Sequence, residues 1–221
     1  MAITIDGSSG IASVDGSAGS PSVRGTDANS GILYTADAIK FSTGGVERLS
    51  ITNTGFTGIT QGITEVDKWR ITSNATGTTL GDPISSNWER VDNTSPSQGM
   101  PIGTGMSVSS GIWTFPSTGK WLINFKSDLQ VNNTNVRWIE PVIQVTSDNG
   151  SNWDNRSYGY GSLYDSGNNT YTTVFAETFL DVTDTSNDKV KIKLTAGWSC
   201  TMMGSTDDTH TAITFFRLGD T

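Results

Sequence analysis

The stretch Asn152–Asn169 carries the side chains best suited to holding a ligand. Trp153, Tyr158, Tyr160 and Tyr164 stand there among Gly, Ser, Asn and Asp, with Arg156 in their midst. Aromatic rings stack on the apolar faces of sugars, while amides, carboxylates and a guanidinium bind hydroxyls. A Tyr/Ser/Gly/Asn mixture is also the chemistry of adaptable binding loops. Trp153, Arg156, Tyr158, Tyr160 and Tyr164 are therefore the candidate ligand-binding residues. The competing assignment puts Tyr158 and Tyr160 on a strand, with their rings in the core. Asp207-Asp208 with Met202-Met203 is a second, weaker loop candidate.

Covalent and acid–base chemistry lacks its parts. His210 is the sole histidine, and no Ser/His/Asp or Cys/His relay is visible around it. It reads as a structural residue at the start of the last strand. Cys200 is the sole cysteine, which excludes an intrachain disulfide and a cysteine-cluster metal site. Beside Trp198 and Met202 it reads as a small buried apolar residue. Glu140, Glu177, Asp165 and Asp181 are carboxylates that in pairs could hydrolyse a glycan, but sequence spacing does not place two of them about one bond. Asp148–Asp154 offers oxygen ligands for calcium. It lacks the EF-hand pattern and its closing Glu, so Asn149-Gly150 reads as a plain turn. The expectation is a chain with no enzymatic activity, no metal and no cofactor.

The elements that position these residues are strands. Hydrophobic content is 34% and charged content 16%, and the balance is Gly, Ser, Thr, Asn and Asp, which suits turns and polar strand faces. Gly, at 25 of 221, exceeds the usual ~7%. Within Gly111–Val131 a short apolar strand meets Pro116-Ser117-Thr118-Gly119 and then a long strand. There Trp121, Ile123, Phe125, Leu129 and Val131 share one face, and Asn124, Lys126, Asp128 and Gln130 the other. Further strand signals lie at Trp69–Ser73, Trp88–Val91, Gly105–Ser109, Val136–Ser147, Tyr171–Val182, Val190–Trp198 and Thr211–Leu218. Turn clusters separate them, among them Asp92–Pro96 and Asn132–Asn135. Eight to ten short strands of this kind predict an all-β sandwich or jelly roll. Val190, Ile192, Leu194, Ala196 and Trp198 alternate with lysines, which predicts one wet face. Val174–Val182 and Ala212–Leu218 read as apolar on both faces, which calls for a cover on the outer side as well.

Phe115, Pro116, Gly119, Trp121 and Phe125, in that order and spacing, resemble the central signature of the complement globular-head and tumour-necrosis-factor-like jelly rolls. The resemblance implies a jelly roll that assembles as a homotrimer. The cover would then be a neighbouring subunit, with Phe175, Phe179, Phe215 and Phe216 in the trimer interface.

Composition shifts near residue 64. The first 64 residues hold 11 Gly and three aromatic residues, Tyr34, Phe41 and Phe56, whereas all seven Trp lie at or beyond Trp69. Residues 1–64 are expected to form a Gly-rich module of short strands and residues 65–221 the jelly roll, with 55–68 as connector. Short echoes recur in the first part: Ile5–Gly10 against Val14–Gly19, and Gly58–Thr60 against Gly62–Thr64. Such segments stabilise by stacking on neighbours or on other chains. A disordered Gly/Ser tail is the competing assignment; Ile32, Leu33, Ile39, Phe41, Val46, Leu49 and Ile51 speak against it. Ser22–Ile32 together with Asp37–Ile51 resembles a module of bacteriophage tail-fibre and virion structural proteins, most similar to marine and cyanobacterial phage versions. That resemblance implies that residues 1–64 contact other tail or capsid proteins of a virion.

Net charge is −8 with no Lys/Arg run, which argues against a nucleic-acid groove. No stretch approaches the ~18 apolar residues of a membrane-spanning helix, and no secretion signal is seen at the N-terminus. The sequence-level expectation is a non-enzymatic virion protein, a phage tail fibre or receptor-binding tip that trimerises and contacts a host-surface glycan or protein. The alternative is a capsid fibre, decoration or connector protein without a receptor. A glycan hydrolase ranks third.

Overall fold

The computed structural model describes residues 4–6, 10–12, 15–35, 37–53, 55–57, 62–91 and 101–221. The Asp92–Pro96 turn cluster and the Gly58–Thr60 echo lie outside the described residues. The chain divides into two compact units, Met1–Gly62 and Ile63–Thr221.

In the first unit β1 (Thr4–Asp6) and β2 (Gly10–Ala12) pair antiparallel. A second sheet follows in plain up-and-down order: β3 (Val23–Arg24), β4 (Gly31–Thr35), β5 (Ala38–Thr43), β6 (Val46–Thr52) and β7 (Gly55–Thr57). Ile32, Phe41 and Leu49 are in register across one face, while Leu33 and Ser50 are buried on the other. These cross-strand rows are what a run of two-residue periodicity produces when neighbouring strands pair antiparallel.

The second unit holds β8 (Glu65–Ile71), β9 (Ala75–Gly81), β10 (Trp88–Arg90), β11 (Ser107–Ser109), β12 (Ile112–Thr114) and β13 (Gly119–Val131). It continues with β14 (Val136–Thr146), β15 (Asp154–Tyr158), β16 (Gly161–Leu163), β17 (Thr170–Val182), β18 (Lys189–Met202) and β19 (Ala212–Gly219). Every pairing is antiparallel. One layer, here layer A, runs β10-β8-β19-β13-β17. The other, layer B, centres on β18, with β14 on one edge and β12 and β9 on the other; β11 extends it beyond β12, and β15 and β16 beyond β14. At its far end β18 also pairs with β13, through Leu129 and Met202, so the two layers curl into one another.

The long strand β13 alternates as its sequence predicts. Trp121, Ile123, Phe125, Leu129 and Val131 are buried and the residues between them are partly exposed. Gly119 begins it at φ +140°, where a Cβ would fall 2.5 Å from the Gly219 carbonyl oxygen; only glycine fits so close an approach. The core is aromatic. Trp88 meets Trp113 edge-on at 4.8 Å, and Phe115 touches both Trp121 at 5.1 Å and Phe215 at 6.3 Å. Asp67, nearly sealed from solvent, ties β8 to its surroundings. It accepts hydrogen bonds from Arg90, the Trp69 indole and the Met106 amide at 2.7–3.2 Å.

Several expectations need correction. Residues 65–68 are not connector but the first half of β8, held by β19. Trp198 does not continue the dry face of β18. The β9–β18 ladder is irregular between Thr195 and Cys200, and Trp198 turns outward there. The outward side of β17 is not uniformly apolar, since Thr173, Glu177 and Asp181 alternate with Tyr171, Phe175 and Phe179. Phe215 is 0% exposed and packs against Trp113 and Phe115 inside its own sandwich, so it presents nothing to another subunit. Strand parity is the reason: Ile213 and Phe215 point inward, Thr214 and Phe216 outward.

Candidate functional site

The sandwich has two outward faces of contrasting chemistry. On layer B, β14 sends Ile139 and Ile143 into the core, so Trp138, Glu140 and Gln144 fall outward. Tyr158 and Tyr160 flank this row. Their rings lie parallel, with centroids 6.5 Å apart and planes 3° from one another. Gly159 between them lets the chain pass against β17, since a Cβ there would sit 1.8 Å from the Phe175 carbonyl oxygen. Polar contacts fix the ridge. Gln144 Nε2 donates to Asn155 Oδ1 at 2.8 Å, and Asn155 Nδ2 donates to the Tyr158 hydroxyl at 2.6 Å. The Glu140 carboxylate facing the Tyr160 hydroxyl raises the phenol above its ordinary 10.0, by hydrogen bonding first, then with partial desolvation and the carboxylate's charge.

Trp153 lies at the far end of the same face. Lys191 Nζ stands 4.6 Å from its ring centroid, a cation–π contact. The loop before it is pinned by Asp148. That carboxylate accepts from the Thr146 hydroxyl at 2.6 Å, the Asn152 amide at 2.9 Å and the Asn152 side chain at 2.6 Å. The Thr146 bond, then those of Asn152, hold Asp148 down at about 2. The loop's own donors thus occupy the Asp148 carboxylate, and no cluster of three metal-ligating side chains occurs among the described residues. Arg156 sits at an irregularity in the β14–β15 ladder, 3.5 Å from Asp154. Tyr164 is 81% exposed beyond β16.

Of the five residues singled out in the sequence, the structure therefore stacks Tyr158 on Tyr160, sets Trp153 along the same layer, and leaves Arg156 and Tyr164 at the margin. Neither Tyr158 nor Tyr160 fills the core; they are 49% and 70% exposed. Trp138, Glu140, Gln144, Asn155 and Lys191 complete the ridge. The period-two parity of β14 could have identified the first three. Asn155 and Lys191 depend on pairing register, which one strand's sequence does not encode.

Layer A presents the other face. Phe179, Leu122, Phe216 and Val66 form one row in register across β17, β13, β19 and β8. The next row is polar, Glu177-Asn124-Thr214-Lys68, and Phe175 opens the one after it beside Lys126. Phe175 and Phe179 are 56% and 68% exposed, and Phe216 is half-buried. Beyond them, a depression of about 520 Å³ is lined by Asp128, Tyr171, Thr173, Met203 and His210. His210 Nδ1 is 3.3 Å from Asp128 Oδ2, and Thr173 donates to Asp128 Oδ1 at 2.7 Å.

The carboxylates weighed for hydrolysis do not converge. Glu140 is outward on layer B, and Glu177 and Asp181 are outward on layer A, where Asn124 and Lys120 hold them. Asp165 caps its own loop by accepting from the Gly167 amide. Glu140 lies on the opposite face of the sandwich from Glu177 and Asp181, and those two stand four residues apart along one strand, about 13 Å at ~3.3 Å per residue, beyond the spacing of a glycosidase pair. Cys200 is buried, and burial pushes its thiol up to about 11, far from a reactive thiolate.

No protein-family model and no curated protein matches the sequence. Solved structures do match the fold. The structure of Eiger TNF from S. frugiperda aligns with a TM-score of 0.53 and 14% identity, over 72% of this chain and 96% of that one. A crystal structure of murine APRIL at pH 5.0 aligns with a TM-score of 0.49 and 12% identity, over 70% and 98%. The fold is an all-β jelly roll of the tumour-necrosis-factor type.

Proposed function

We propose that this chain is a non-enzymatic adhesive protein of a bacteriophage particle, a tail-fibre or receptor-binding tip. It self-associates as a homotrimer through layer A and meets a host-surface glycan or protein with layer B. The N-terminal unit joins it to other virion proteins. The observation that carries this reading is the division of labour between the two outward faces. Phe179, Leu122, Phe216 and Val66 offer apolar surface in register with no polar handle of their own. Burying such surface is favourable by about 25 cal/mol per Å². The Tyr158–Tyr160 ridge instead offers parallel rings, the Tyr158 hydroxyl held by Asn155 and that of Tyr160 facing the Glu140 carboxylate, an arrangement that suits a hydroxyl-rich ligand. The weighed carboxylates do not converge, and His210 is paired with Asp128 without a hydroxyl or thiol hydrogen-bonded to the imidazole among the described residues, which supports a binding rather than a catalytic role. The phage assignment draws on the resemblance of Ser22–Ile32 and Asp37–Ile51 to virion modules.

Adsorption competition tests the reading. Purified protein is expected to block attachment of the cognate phage to its host cells. Protein that associates but leaves attachment untouched would move the assignment to a connector or decoration role.

A further inference from the structure

A groove of about 380 Å³ opens on layer B between the β11–β12 hairpin and the loop that precedes β15. Its size falls within the range of small-ligand sites. Ser109, Ser110, Thr114, Asn149, Trp153 and Lys189 are among the residues that line it, and no carboxylate is. On a chain of net charge −8 that is a notable exclusion.

The three lysines of β18 show where the charge is free. Lys191 and Lys193 stand 3.7 and 3.5 Å from Asp82. Lys189, on the same side of the strand, has no ion-pair partner among the described residues, and it is the lysine that lines the groove. Both walls are firm. The hairpin closes on the two-residue turn Ser110-Gly111, with φ +50° and +75°, as two-residue hairpins demand. The opposite loop is pinned by Asp148, and its Trp153 ring is held by Lys191. Rigid walls lower the ordering cost of binding.

We infer that this groove receives a carboxylate-bearing sugar. The Lys189 ammonium meets the carboxylate, the hydroxyls of Ser109, Ser110 and Thr114 and the Asn149 amide meet ring hydroxyls, and Trp153 meets an apolar ring face. A single unmatched ammonium balances a single negative charge, which favours a uronic-type acid over a doubly charged phosphate. The inference rests on the adhesive reading of layer B and narrows its ligand from glycans in general to acidic ones.

The test titrates the full-length, isotope-labelled protein with methyl β-D-glucuronide and, as neutral twin, methyl β-D-glucoside. The signals followed are the Trp153 indole N–H and the Gly150 amide. Both are expected to shift with the glucuronide, which should bind roughly tenfold more tightly than the glucoside. Lys189→Gln should bring the two ligands level with an unchanged spectrum elsewhere, and added salt should weaken the glucuronide alone. Equal affinities in the unsubstituted protein, a glucuronide preference that survives Lys189→Gln, or shifts that bypass Trp153 and Gly150 would each overturn the proposal. The adsorption assay separates the two levels. Failure at the groove with attachment still blocked removes the acidic-sugar site and leaves adhesion standing, and failure of both removes both.

Discussion

The two outward faces of the C-terminal sandwich are built from the same kind of strand and share one core, yet they treat their aromatic residues in opposite ways. On layer A one cross-strand row sets the phenylalanines Phe179 and Phe216 beside Leu122 and Val66, with Phe175 two rows away and Tyr171 at the far end of β17. On layer B the rings are tyrosines and tryptophans, with Asn155 donating to the Tyr158 hydroxyl, the Glu140 carboxylate facing that of Tyr160, and Lys191 over the Trp153 ring. A phenylalanine left in water gains only by being covered. A tyrosine with its hydroxyl aimed sideways is stable in water and still offers a flat apolar face. The comparison teaches that exposure alone does not distinguish the faces; the apolar row of layer A has no polar group to engage, whereas the Tyr158–Tyr160 pair of layer B carries hydroxyls set among Asn155 and Glu140.

The sharpest way to break the comparison uses two adjacent residues. Phe215 points into the core and Phe216 outward. Phe215→Ala should cost about 3–5 kcal/mol of folding stability, read by denaturant unfolding. Phe216→Ser should leave the fold within about 1 kcal/mol while cutting the association constant at least tenfold, read by sedimentation equilibrium. Equal effects of the two substitutions on stability would mean that the outward row is not a separate surface.

The next effect lies on layer B. Tyr158→Ala combined with Tyr160→Ala should lower cell attachment by roughly tenfold, with subunit mass and melting unchanged. Loss of assembly in that variant would show that the two faces are not independent.

A smaller effect sharpens the role of Glu140. It raises the Tyr160 phenol above 10.0, so the neutral phenol is favoured in the fold. That contribution is fully present below pH 10 and is lost as pH rises through the raised value. Glu140→Gln should move the Tyr160 transition back toward 10, followed by ultraviolet absorbance of the phenolate.

The smallest effect concerns the Trp153 loop. Asp148 is held at about 2 against an ordinary 3.8. Its ordering of the loop is present above pH 3.8 and is lost as pH falls toward 2. The Trp153 indole signal should broaden or move across that interval, and Asp148→Ala should abolish the transition.

Much of the fold was legible because period-two alternation is strong where a strand has one dry side. β13 alternates from Gly119 to Val131, and its parity alone separates Trp121 and Phe125 from Lys126 and Asp128. β9, Ala-Thr-Gly-Thr-Thr-Leu-Gly, and β15, Asp-Asn-Arg-Ser-Tyr, carry no such pattern. They are strands because β18 and β14 pair with them, a tertiary cause invisible in their own residues. The site was legible in part for the same reason. The rings of Trp153, Tyr158 and Tyr160 stand out by composition, whereas Asn155, Gln144 and Lys191 join them through ladder register. Phe215 was misassigned to an interface because two consecutive phenylalanines do not reveal which of them points inward.

The mass of the native protein in solution tests the central claim most directly. Size-exclusion chromatography with light scattering at micromolar concentration should give three times the 23.6 kDa chain mass, reduced to one chain by Phe179→Asp with Phe216→Ser. A compact monomer of the unsubstituted protein, with Phe175, Phe179 and Phe216 left facing water, would contradict the account.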